Sequence, residues 1–135
     1  MTSLIIGISS AMLLVLLLTK LKYFDGQLVY GIVLACIGFL YIGFTWTDLQ
    51  SLIINALQAL VFVVLAYFGI KRNIYILAIG YFLHGSWDIL YNLLDESGLI
   101  PPLYDLFCLS FDFTVGVYLL VARRKAKQAF KIDTI

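Results

Sequence analysis

Residues 81–91 place the chain's one histidine, His84, and a carboxylate, Asp88, inside an otherwise apolar run. Their i, i+4 spacing stacks both side chains on one face of a helix, with Tyr81 and Tyr91 a turn or so to either side. An imidazole beside a carboxylate can hold a proton, bind a cation or work as an acid–base pair. Further along, Asp105, Cys108 and Asp112 share a face by their i, i+3, i+7 spacing. One aspartate at the centre of a membrane helix costs about 2.5–3.5 kcal/mol, so such residues are kept mainly where they act. A single buried histidine would read as a packing residue, because an interhelical hydrogen bond in a membrane is worth about 0.6 kcal/mol on average. Two intramembrane acids and a histidine exceed what one structural pair needs.

His84, Asp88 and Asp112 are therefore the candidate catalytic groups. Asn55, Gln58, Trp87, Tyr91, Asp105 and Cys108 are the candidate ligand-binding residues around them. Asn55 and Gln58 read equally well as interhelical hydrogen-bonding residues, and Cys36 as a small core residue. Trp87 is expected to form a wall or lid, its indole N–H needing an acceptor at that depth.

The elements that carry these groups follow from composition. The chain has 135 residues, 63% hydrophobic and 13% charged, and its mean hydropathy is +1.03, far outside the soluble globular range. Five stretches reach the length of apolar sequence that a membrane helix needs: about 3–19, 28–45, 50–70, 74–94 and 103–121. The fold class expected is all-α integral membrane, a five-span transmembrane helical bundle forming one domain, followed by a basic juxtamembrane tail at 122–135. The first stretch lacks the basic start and small-residue cleavage site of a signal peptide. Gly31 and Ala35 offer small residues for close helix approach, Gly98 suits a helix C-terminal cap after Asp95-Glu96-Ser97, and Pro101-Pro102 suits the first turn of the last helix.

Every Lys and Arg falls after the first, third or fifth stretch. Positive-inside placement then puts the N-terminus outside and the C-terminus in the cytoplasm, and the basic tail against anionic membrane lipid. At about 1.5 Å of rise per residue, His84 and Asp112 come near the midplane. Asp88, Trp87, Tyr91, Cys108, Asp105, Gln58 and Asn55 lie toward the outside, as do Tyr41 and Thr45. The inner half is nearly free of polar side chains, the pattern of a pocket opening outward.

At residues 84–91 and 102–112, continuing through Gly116 to Leu120, the chain resembles small bacterial integral membrane proteins that carry a His-x-x-Trp-Asp motif and a Cys-x-x-x-Asp motif in the last helix. Many of them add a second histidine three residues after the aspartate; here Tyr91 stands in its place, which weakens any metal site carried over. The resemblance implies the bacterial inner membrane and no established activity. A second resemblance is to the five-span sterol isomerases of the EXPERA type. It would assign His84, Asp88, Asp112 and Trp87 as acid, base, charge stabiliser and cation-facing ring.

The function expected is an outward-opening His/Asp-lined pocket for a small cationic or lipophilic ligand, or a proton, with affinity falling as the carboxylates protonate. The alternatives are an intramembrane acid–base enzyme acting on a lipid or isoprenoid, and a small transporter or accessory subunit. A metal or haem protein, with His84, Asp88, Asp112 and Cys108 as mixed ligands, is less favoured by a single histidine, and no cofactor is expected. Homo-oligomerisation is expected if the protein conducts. The chain has no basic groove, P-loop or dinucleotide fingerprint, which leaves nucleic-acid and nucleotide binding without support.

Overall fold

The computed structural model describes residues 1–94 and 98–133. Five helices run through them: α1 (Thr2–Lys20), α2 (Gly26–Thr45), α3 (Leu49–Lys71), α4 (Ile74–Leu94) and α5 (Tyr104–Asp133), with no strand among the described residues. Short polar side chains set three of the starts by accepting backbone N–H bonds that the first turn cannot satisfy internally. Asp25 accepts from Gln27 and Leu28, Asp48 from Ser51 at 2.9 Å, and Asn73 from Tyr75 at 3.1 Å. The Ser51 bonds hold the Asp48 carboxyl below its ordinary range. The ionised cap is therefore complete above that range and is lost only as pH falls through the lowered value.

α1, α2, α3 and α5 are each long and apolar enough to cross a membrane, and their many exposed Leu, Ile, Val and Phe side chains fit a membrane protein better than a soluble one. α4 has the length but not the apolarity, because its second half carries His84, Ser86, Asp88 and Asn92. The helix that most needs shielding is the best shielded, with α5 and α3 packed on it and α2 touching it as well.

The helices neighbour one another in the order α1, α5, α4, α3, α2. Helix ends meet across α2, α3, α4 and α5: the Gln27 amide at the start of α2 donates to Gly69 O at the end of α3, Asn55 near the start of α3 meets Thr45 at the end of α2, and Asn92 at the end of α4 bonds Asp105 at the start of α5. The basic residues at 20–22, 71–72 and 123–127 therefore gather at one end, where Lys127 lies over the Tyr75 ring. The basic segment after residue 121 continues as helix to Asp133. Small residues set the closest approaches. Gly31 lies against Ile70 and Ala66, Gly85 against Phe113 and Leu109, and Gly116 against Phe82, while Ala35 packs on the core.

The entry to α5 differs from the proline-led first turn that its sequence predicts. Pro101 and Pro102 stand ahead of the helix, and Leu103 turns the chain into it with φ 67°. A left-handed conformation costs a residue with a Cβ about 1–2 kcal/mol. Gly98 takes the same region, φ 65°, where glycine pays nothing. Asp95, Glu96 and Ser97, which would tie Gly98 to the end of α4, lie outside the described residues. Leu103 is half exposed, so Leu103→Gly loses little packing. It should raise stability in detergent by roughly 1 kcal/mol or less, once glycine's greater chain entropy is subtracted. A lowered melting temperature would show that the Leu103 side chain matters more than its backbone strain.

Candidate functional site

α4 presents His84 and Asp88 to α5, which presents Cys108 and Asp112 in return: two i, i+4 pairs face each other across the most closely packed helix pair. The absence of a side chain at Gly85 permits this, since a Cβ there would lie 2.9 Å from the Phe113 ring. His84, Asp88 and Asp112 are fully buried and Cys108 almost so. His84 Nδ1 lies 2.7 Å from Asp112 Oδ2 and 3.5 Å from Asp88 Oδ2. One N–H cannot serve both carboxylates, so the nearer one takes it. Asp88 is held instead by the Tyr41 hydroxyl, which donates to Oδ1 at 2.6 Å, and the Cys108 thiol lies 3.8 Å from Tyr104 Oη.

Three of the four groups in this cluster keep an unused atom. His84 Nε2, Asp88 Oδ2 and Asp112 Oδ1 are buried without a hydrogen-bond partner, although buried polar atoms are nearly always paired. The Phe62 ring packs edge-on against the imidazole, with centroids 4.8 Å apart. No Lys or Arg lies in the stretches that build the cluster, so His84 alone faces two carboxyls and a thiol.

A cavity of about 450 Å³ reaches this cluster from the end of the bundle opposite the basic residues. Asp88 forms part of its wall, together with Tyr41, Tyr91, Asn92, Asp105 and the residues leading into α5. The Asn92 amide donates to Asp105 at the mouth. Tyr41 stands at the centre of an aromatic group, its ring 5.3 Å from Tyr91, 5.9 Å from Tyr104 and 6.1 Å from His84. A wall of carboxylates and aromatic rings, with no cation in it, is suited to positive charge.

The residues singled out in the sequence are sorted by this geometry into three places. His84, Asp88, Asp112 and Cys108 form the buried cluster. Tyr91 and Asp105 line the cavity, while Asn55 stands behind Tyr91, donating to its hydroxyl at 3.1 Å and to Thr45 Oγ1 at 3.3 Å. Gln58 and Trp87 are elsewhere, along an apolar groove between α3 and α4, where the Gln58 amide and the Trp87 indole N–H are unpaired. Trp87 is thus neither wall nor lid to the cavity. Sequence reasoning left out Tyr41, the partner of Asp88, and Tyr104. The available signal was the placement of Tyr41 and Thr45 in the same half of the bundle as the acids.

Residues 2–125 match the profile of a family described as a family of unknown function (DUF6010). No curated protein and no solved structure matches the chain.

Proposed function

The chain belongs to that family of unknown function, and from the geometry of its buried cluster we propose that it is a cation-binding protein of the bacterial inner membrane. In this reading all five helices span the bilayer, with the N-terminus outside and the C-terminus in the cytoplasm. α4 is carried across by its packing against the other helices. The gathering of basic residues at one end of the bundle supports the orientation, and it directs the cavity outward.

The observation that carries the proposal is the position of Asp88. It lines the cavity and lies 3.5 Å from the His84 imidazole, which pairs with Asp112. A cation entering past Asp105, Tyr91 and Tyr41 meets a carboxylate with one oxygen uncommitted, in a wall that carries no Lys or Arg among the described residues. Desolvation inside the bundle strengthens that attraction over its value in water.

A small organic cation is the probe. Tetramethylammonium should raise the melting temperature of the detergent-purified protein beyond what equal ionic strength of sodium chloride achieves. Asp88→Asn, which retains an acceptor for the Tyr41 hydroxyl, should cut the apparent affinity at least tenfold. Equal shifts with sodium chloride, or an Asp88→Asn protein that responds as the parent does, would refute cation binding at this site.

A further inference from the structure

We infer that the buried end of this site is a divalent transition-metal site, with His84, Asp88, Cys108 and Asp112 as its ligands. The inference rests on the cation-binding reading for the route of entry, and goes beyond it in naming the ion and its donors. One ligand atom from each of the four residues lies within 4.8 Å of the others. A tetrahedral ion with bonds of 2.0–2.3 Å holds its ligands about 3.3–3.8 Å apart. Side-chain movements of about 1 Å close that gap, and the 2.7 Å His84–Asp112 contact widens by roughly 0.6–1.1 Å to admit the ion.

Three further observations point the same way. Asp88 Oδ2 and Asp112 Oδ1 are fully buried and unpartnered, as ligand oxygens awaiting an ion would be. Two carboxyls and a thiol are set against a single imidazole, and no lysine or arginine lies in the helical segments around them to balance them, so a doubly charged ion supplies the missing positive charge. The Tyr41 hydroxyl fixes Asp88 through the oxygen not offered to the ion, the outer hydrogen bond that oriented metal ligands usually have.

The donor set selects among ions. Imidazole nitrogen with thiolate sulfur favours zinc, cobalt and their neighbours over magnesium or calcium, which take all-oxygen shells. The single histidine, which weakens the metal reading in the sequence, is compensated by a cysteine and two aspartates brought from the facing helix and the next turn. Loading displaces the thiol proton and the proton between His84 Nδ1 and Asp112.

The experiment is cobalt(II) loading of the full chain in detergent, with bound metal measured after desalting and absorption recorded in the near ultraviolet and visible. About one cobalt per chain, with a thiolate-to-cobalt charge-transfer band, is expected. Cys108→Ser, a one-atom change, should abolish that band and weaken binding at least tenfold, while His84→Gln should retain no more metal than background. Magnesium should not compete, and zinc should. Retention no greater than in His84→Gln, or bound cobalt whose spectrum is unchanged by Cys108→Ser, would overturn the metal site. If tetramethylammonium still stabilises the protein in that case, only the metal falls and cation binding in the cavity stands; if it does not, both fall.

Discussion

Asp112→Ala is expected to destabilise the bundle by about 3 kcal/mol, the lower end of what breaking a buried charged pair costs. His84 Nδ1 would lose its 2.7 Å partner at a position with no access to solvent, and the vacated space would lie between the two helices that pack most closely. The loss stays at the lower end because Asp88 Oδ2, 3.5 Å away, can turn to take the freed N–H. Adding Asp88→Asn removes that substitute, so the double variant should lose more than the two single losses together. Denaturation in detergent, followed by helical circular dichroism, measures all three. A loss near the 0.6 kcal/mol average of neutral interhelical bonds would mean that the pair is not charged in the folded protein. Converting His84, Asp88 and Asp112 together to leucine should be neutral or stabilising. That outcome would separate folding from function, since the triple variant would be sound and unable to bind cations.

The helices themselves are plain in the sequence. Apolar runs of bilayer length, broken by Asp25, Asp48 and Asn73 with their capping capacity, leave few choices for where each helix starts. The polar face of α4 is also legible, because i, i+4 spacing fixes which side chains share a side whatever surrounds them. Adjacency is a different matter. The pairing of α4 with α5 depends on glycines meeting rings across an interface, as Gly85 meets Phe113 and Gly116 meets Phe82, and no periodicity within either helix encodes it. For the same reason Trp87 and Gln58, at the right depth, turn out to occupy a groove on another side of α4. Depth follows from counting residues along one helix, whereas direction around the axis has meaning only once the neighbours are known. Depth places Tyr41 in the same half as the acids, but it is one of nine tyrosines, and only the bond from its hydroxyl to Asp88 sets it apart.

The same dependence on close approach gives the sharpest test of the packing itself. Gly7→Ala should separate α1 from α5 and lower stability by about 1–3 kcal/mol, the range for an overpacked interior. A Cβ at Gly7 would overlap the backbone carbonyl of Phe107 as well as the Ser110 hydroxyl. The hydroxyl can rotate away, but the carbonyl is fixed by the helix that carries it, so α1 must move. Since α1 packs mainly on α5, it has little else to hold it once that contact opens. Gly43→Ala is the matched control: nothing lies within 4 Å of a Cβ there, and alanine's better helix propensity should make it neutral or stabilising by up to about 1 kcal/mol. Gly80→Ala falls between them, because the atoms it meets belong to the flexible end of Leu34. Melting curves of the three proteins in one detergent should therefore rank Gly43→Ala above Gly80→Ala above Gly7→Ala. If Gly7→Ala instead melts with the parent, the α1–α5 contact is looser than the structure has it. The His84 cluster, built from α4 and α5 with Tyr41 of α2, should keep its ligand response in the Gly7→Ala protein at temperatures below its lowered melting point.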